Sequence, residues 1–421
     1  MEFFEDRPKR ELWSGFVTVD EDGRIRLPRE VARRYRPAPG SRIYVESGDG
    51  GMLLHRPDND LARIYVEPTN TCNLSCRTCV RRVWEEPPGH LEMVTFQKVL
   101  QGVRDTDPRP ELFFGGFGEP LGHPDILDMV HLAGQAGART QLITNGVLLD
   151  EGMSRGLIDA GLGFLWVSLD GATPESYLDV RLGDELPRII ENLRMLRRLR
   201  YHTGSRTPGL GIAFVAMKRN LGDLPRVVSL GRRLGARRFH VSNLLPYTEE
   251  MQGEVLYGRS LREDRHSLEQ AHLPRMDLSA GLLEALEALS FGSDWTALLQ
   301  GAFRGPFDSC PFIRRGSVSV RWDGRVSPCP PLLHEHESFL EETRRRNRVF
   351  FTGSLAEASL RSIWEDPAYV GLRERIQAFD FSPCTICNSC ELAESNEEDC
   401  FGNRLPACGG CLWAQGFISC P

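Results

Sequence analysis

Cysteine is missing from the middle of this chain. None occurs between Cys79 and Cys310, although the 421-residue sequence holds twelve. The gap separates two thiol sites, three residues before it and nine after it. No apolar run approaches the roughly 18 residues of a membrane span. The first residues, Met-Glu-Phe-Phe-Glu-Asp, have neither the basic start nor the apolar stretch of a signal peptide. Both absences place the expectation in the cytoplasm, where thiols stay reduced and serve as ligands more often than as disulfides. An excess of positive charge is also lacking. The formal net charge of −7 argues against wholesale binding to nucleic acid or membrane surfaces. Internal repeats and long low-complexity tracts are absent. What remains, 41% hydrophobic and 26% charged, is a soluble composition with length for two or three domains.

The first thiol group is compact: Cys72, Cys76 and Cys79, spaced C-x3-C-x2-C. Three thiolates on one tight loop can hold three irons of a cubane and leave the fourth open to a small molecule. Three unrelated thiols, or a zinc site short of a ligand, are the alternatives. The segment before the loop, 61–67, reads as a strand, so the loop stands at a strand's C-terminal end. In β/α barrels that is the face where active sites are built. From Leu61 to about Asn243 strands alternate with helices. Strands are predicted at Arg63–Glu67, Glu111–Gly115, Thr140–Thr144, Phe164–Leu169, Gly211–Met217 and Arg238–Val241. Helices are predicted at Asp125–Gln135, Leu186–Arg200 and Leu224–Leu234. The alternation predicts an α/β fold with a parallel sheet. Arg194, Arg197, Arg198 and Arg200 form a solvated helix face.

The cysteine loop resembles that of radical S-adenosylmethionine (SAM) enzymes. That resemblance implies a partial (β/α)6 barrel open on one side for a large substrate, and a [4Fe-4S] cluster on Cys72, Cys76 and Cys79 with SAM on the open iron. It also implies cleavage of SAM to a 5′-deoxyadenosyl radical, and an external electron donor such as ferredoxin or flavodoxin. Thr78 departs from the aromatic residue often found there, beside the adenine. Gly115-Gly-Phe-Gly-Glu-Pro120 resembles the family's Gly-Gly-Glu-Pro motif, with Phe117 replacing the first glycine. By the same resemblance Gly118 and Glu119 would meet the SAM ammonium side, and Ser168 and Asp170 its ribose or carboxylate. Asn145, in the Asn-Gly turn after the third strand, joins them. No side chain is identified as catalytic.

Two flanking units complete the organisation. Residues 1–60 resemble the AbrB-like swapped-hairpin module, with strands at Phe16–Val19 and Arg24–Leu27, a helix opened by Pro28, Pro39-Gly40, a strand at Arg42–Val45, a loop through Gly48, Gly50 and Gly51, and Met52–His55. Such modules often dimerise and bind DNA, so a homodimer is expected through this unit. Nucleic-acid binding is not expected, because its arginines are offset by nearby acids. Residues 61–246 form the barrel, 247–309 an irregular bridge, and 310–421 a cysteine-rich domain. Cys310-x13-Gly324-x4-Cys329 resembles the opening of the SPASM extension. Cys384, Cys387, Cys390, Cys400, Cys408, Cys411 and Cys420 follow with a spacing of their own. The resemblance implies two auxiliary [4Fe-4S] clusters with one thiol spare; paired C-x2-C units also read as zinc sites. The domain order and the tail resemble radical SAM proteins proposed to mature tungsten-containing aldehyde oxidoreductases. A maturase acting on that protein or its cofactor is the first expectation. A SPASM peptide or protein modifier, forming crosslinks or oxidising a side chain, is the second. An iron–sulfur DNA-binding regulator is the alternative of another class.

Overall fold

The computed structural model describes residues 17–35, 42–48, 51–57, 60–258, 276–277, 279, 281–282, 284–285, 309–340, 343–385 and 390–421. Its backbone divides into two compact units, Met1–Asp60 and Leu61–Pro421. In the first, Pro28 precedes helix α1 (Arg29–Tyr35), and β1 (Ile43–Gly48) and β2 (Gly51–Pro57) pair antiparallel. The hairpin expected over 16–27 differs. Among the described residues it is a turn after Asp20 and a single bridge, Val19 to Ile25. Val17, Val19 and Ile25 stay exposed, and a two-stranded hairpin with no apolar layer to cover is marginal in water. Phe16, Pro39-Gly40, Gly50, Cys387 and most of the expected bridge lie outside the described residues.

The second unit carries the sheet. Strands β3 (Arg63–Val66), β4 (Glu111–Phe114), β5 (Thr140–Thr144), β6 (Phe164–Ser168), β7 (Gly209–Ala216) and β8 (Arg238–Asn243) pair parallel in chain order. Helices α2 (Met93–Asp105), α3 (Ile126–Gln135), α4 (Glu151–Asp159), α5 (Pro174–Arg181), α6 (Leu186–Thr203) and α7 (Leu224–Leu234) connect them. Helix α6 shows why the alternation was legible. Leu186, Ile189, Leu193, Leu196 and Leu199 fall on one buried stripe, and Arg194, Arg197 and Arg198 on the exposed side.

The cysteine-rich segment grows directly onto this sheet. Strand β9 (Ser317–Val320) pairs parallel with β3, and β10 (Arg325–Ser327) follows antiparallel. After a separate ribbon of β11 (His336–Leu340) and β12 (Thr343–Asn347), β13 (Gly353–Ser354) completes nine strands, ordered β13-β10-β9-β3-β4-β5-β6-β7-β8. Phe114 faces α2, its ring 5.9 Å from Phe96, so Phe113 and Tyr65 face the other way, with rings 5.4 Å apart. On that inner face residues 417–421 cross from β8 to β3. Asn243 Nδ2 donates to the Phe417 carbonyl (2.9 Å), Ser419 N to Ser242 Oγ (3.1 Å), and Arg63 Nη2 to the Pro421 carbonyl (2.9 Å). The side expected to stand open is spanned there by this short segment.

Candidate active site

The loop after β3 is fastened before any ligand is considered. Thr69 Oγ1 donates to the Gly89 carbonyl (2.7 Å), and Asn70 bonds the Pro87 carbonyl and Gly89 N (2.9 and 2.8 Å). These bonds fold residues 68–91 into a closed excursion. Arg77 N donates to the Val180 carbonyl at 3.0 Å, which ties the loop to the end of α5. Cys76 is buried and Cys72 and Cys79 are half-buried, all three as free thiols. Burial pushes the Cys72 thiol up and Cys79 up to about 11; the Glu119 carboxylate and the Cys76 sulfur add to Cys72, and the other two loop sulfurs to Cys79. Among the described residues no three ligating side chains converge on one point. A cubane asks something different of its ligands, because each sulfur takes its own iron.

Glu119 is buried at 2% exposure, and its carboxylate binds the protein on both oxygens. Oε1 accepts from Thr144 Oγ1 (2.7 Å) and Leu121 N (3.0 Å), and Oε2 from Asn145 N (2.7 Å). Burial pushes this carboxyl up against the three donors. Glu119 therefore braces two loops. Asn145, which it holds, donates through Nδ2 to Asn73 Oδ1 (2.8 Å) and stands 3.8 Å from Cys72 Sγ. Gly118 is small for a reason the motif did not show. A Cβ there would lie 2.2 Å from the Thr69 carbonyl oxygen, so the backbone approaches the cysteine loop.

Asp170 and Ser168 share a face at the end of β6, and the structure uses them differently. Asp170 is buried; Oδ1 accepts from Val215 N (2.8 Å) and Oδ2 pairs with Arg181 Nη2 (2.5 Å). Arg181 Nη1 lies 3.5 Å from Cys76 Sγ. Burial opposes its charge, but Asp170 and the Cys76 sulfur outweigh that and hold the guanidinium charged. Ser168 is half-buried and its hydroxyl has no bond to the described residues. Of the two, Ser168 is the one left free for a ligand.

The later thiols form two groups. Cys310, Cys329, Cys408 and Cys411 line one mainly apolar cavity. Burial raises all four, Cys310 to about 12, with the neighbouring sulfurs adding to Cys310, Cys329 and Cys408. Cys384 and Cys400 approach one hydroxyl, Ser382 Oγ, at 3.6 and 3.0 Å. Cys390 is exposed. Arg345 is buried between the groups, interacting with Cys384, Cys408 and Cys411 and packed on Gly410. Cys420 does not line that cavity; it lies close to Trp413, Arg63 and Arg315, with the Cys411 sulfur near enough to add to the rise that burial causes.

Sequence reasoning missed Arg181, Asn73 and Arg345, and also Glu67, Glu86, Arg321 and His334. Glu67 alone carried a signal, since it follows β3 directly on the face where barrel chemistry is placed.

Residues 66–212 match the radical SAM superfamily, and residues 310–391 the SPASM iron–sulfur cluster-binding domain. The chain is an enzyme that carries a radical SAM domain and a SPASM domain. These domains imply a [4Fe-4S] cluster with SAM, and additional iron–sulfur clusters. It is 29% identical over 374 residues to the tungsten-containing aldehyde ferredoxin oxidoreductase cofactor-modifying protein of Pyrococcus furiosus, covering 85% of this chain and 96% of that protein. The mycofactocin maturase MftC of Mycobacterium tuberculosis is 23% identical over 84% of this chain and 79% of its own. Among solved structures, Streptococcus suis SuiB bound to S-adenosylmethionine shares the fold at a TM-score of 0.51 and 17% identity, covering 80% of this chain and 72% of that one. SuiB bound to its precursor peptide SuiA gives 0.52 and 16% over the same shares. Among the described residues no helix is long and apolar enough to cross a membrane.

The donor sets fit the cofactors. The loop after β3 offers three soft thiols, a free hydroxyl stands at the end of β6 in the same sheet, and the later segment gathers thiols around a buried cation.

Proposed function

We propose that this enzyme matures a tungsten-containing aldehyde oxidoreductase, acting on that protein or on its cofactor. The observation that carries the reading is the extent of the likeness, 85% of this chain against 96% of the Pyrococcus protein named for that work. When bound, the loop cluster and SAM supply a 5′-deoxyadenosyl radical, with electrons from a donor such as ferredoxin or flavodoxin. Cys72, Cys76 and Cys79 hold that cluster. Ser168 binds SAM directly, while Gly118, Glu119, Asn145 and Asp170 hold the loops in place around it. Cys310, Cys329, Cys408 and Cys411 hold one auxiliary cluster, and Cys384, Cys387, Cys390 and Cys400 a second, leaving Cys420 as the ninth thiol. Residues 1–60 serve in dimerisation or partner docking.

The test uses oxidoreductase from cells that lack this enzyme. It is incubated anaerobically with the reconstituted enzyme, SAM and reductant, and its cofactor and polypeptide are then weighed by mass spectrometry. The reading expects 5′-deoxyadenosine in step with a mass change in either. A mass change confined to a short peptide substrate favours the second reading, a peptide modifier. That alternative draws on the likeness to MftC and on the PqqA peptide cyclase of Gluconobacter oxydans, 29% identical over 47% of this chain and 52% of its own.

A further inference from the structure

His334 is wholly buried, and each of its ring nitrogens faces a carboxylate. Nε2 lies 2.8 and 3.0 Å from the two oxygens of Glu67, and Nδ1 lies 2.8 Å from Glu86 Oε2. Neutral imidazole has one N–H donor and one lone pair. Two carboxylates at these distances therefore require two protons across the trio, and the imidazolium supplies both. Burial opposes that charge, but the bonds to Glu67 and Glu86 outweigh it and raise His334 from its ordinary value.

The trio joins the parts of the site. Glu67 directly follows β3 and accepts from Phe117 N (3.2 Å) in the glycine-rich loop that carries Gly118 and Glu119. Gly116, at φ +131°, leaves room for it: a Cβ there would lie 2.7 Å from Glu67 Cγ. Glu86 belongs to the excursion that follows Cys79. Arg321 Nη2 donates to its Oε2 at 2.7 Å from the turn between β9 and β10. Trp84 and Phe117 cover the imidazole, with ring centroids 4.4 and 5.4 Å away. Among the described residues, the other charged and titratable groups near the trio are Asp323, 3.7 Å from Arg321 Nε, and Glu335 and His336, which follow His334 in the chain.

We propose that His334 is a positioning residue, a doubly protonated bridge that locks the SPASM segment to the cysteine excursion and the glycine-rich loop, so that SAM binding requires its charge. This rests on the radical SAM chemistry and is independent of which substrate is modified. Removing one proton sets a lone pair against a carboxylate oxygen at one of the two bonds. Glu67 then shifts, and Phe117 and the loop behind it move with it.

Equilibrium binding of SAM to reconstituted, unreduced full chain avoids any pH-dependent reductant. Affinity should fall about tenfold as pH rises through the titration of His334, in line with the usual cost of losing an outer-shell partner. His334→Gln should bind weakly at every pH. Glu67→Gln should flatten the profile, because its amide can donate to neutral imidazole and still accept from Phe117 N. A second readout needs no cofactor. In 15N-histidine spectra of the unreconstituted chain, His334 should keep both nitrogens protonated above the ordinary histidine value of about 6.5, whereas Glu67→Gln should show only one protonated there. A neutral tautomer in the unsubstituted protein, pH-independent SAM affinity, or the same pH profile in Glu67→Gln overturns the proposal. If His334→Gln does not fold, Glu67→Gln and the spectra decide alone.

Discussion

Asp170, Arg181 and Cys76 form one electrostatic chain from the end of β6 to a loop thiol. Asp170→Asn keeps an acceptor for Val215 N but leaves Arg181 buried without its counter-charge. Breaking such a pair costs about 3–5 kcal/mol. Urea unfolding should show that loss, with iron retention falling alongside. Ser168→Ala makes the contrasting case. It should change stability by less than about 0.5 kcal/mol and leave the iron content intact. SAM affinity should nevertheless drop by roughly tenfold, the upper range for one hydrogen bond. If Ser168→Ala loses iron as well, the hydroxyl is structural. The two residues looked equivalent in sequence because alternation places both on one face. Only their partners distinguish them.

At the scale of elements, the glycine-rich loop and the 417–421 segment are the pieces most sensitive to a small change. Gly118→Ala drives a methyl into the Thr69 carbonyl, and overpacking of this kind costs about 1–3 kcal/mol. The cysteine loop should move, so iron per chain after reconstitution should fall while the rest of the fold survives. The 417–421 segment bonds His240 through Ser419 Oγ, 3.1 Å from Nε2. Burial lowers His240 from 6.5 to about 4, and His336 likewise to about 4. Both are neutral when folded, whereas the unfolded chain protonates them near 6.5. The unfolded state then binds more protons below that pH, so stability is lost as pH falls. Charged His334 acts in the opposite sense, so the readout is a difference: between pH 7.5 and 5.5 the unfolding midpoint of the unsubstituted protein should change less favourably than that of His240→Gln. Identical pH dependence in the two proteins contradicts the assignment.

For the whole molecule, the fusion of the cysteine-rich segment to β3 through β9 makes one sheet serve both thiol sites. Clusters of the kind expected hold about four irons each, so the reconstituted protein should contain about twelve per chain. Replacing Cys72, Cys76 and Cys79 together should remove about four and abolish SAM cleavage. Replacing Cys408 and Cys411 should spare SAM cleavage while substrate modification stops. Metal analysis giving about four irons with stoichiometric zinc would make the later thiols a structural module instead, since zinc has no redox chemistry.

The sequence alone determined the six strands from 63 to 243, three of their six connecting helices, the compact thiol loop and the likeness to radical SAM and SPASM proteins. Those follow from signals within a few residues: alternation in strands, the buried stripe of α6, and a spacing of three and two between cysteines. The tertiary structure decided what depends on partners far apart in the chain. His334 lies 267 residues from Glu67, Arg181 lies 105 from Cys76, and Cys310 joins Cys408 and Cys411 across the length of a small domain. No local pattern encodes these meetings. They arise because β9 pairs with β3 and because a buried charge in a water-poor interior must find its counter-charge wherever the fold brings one.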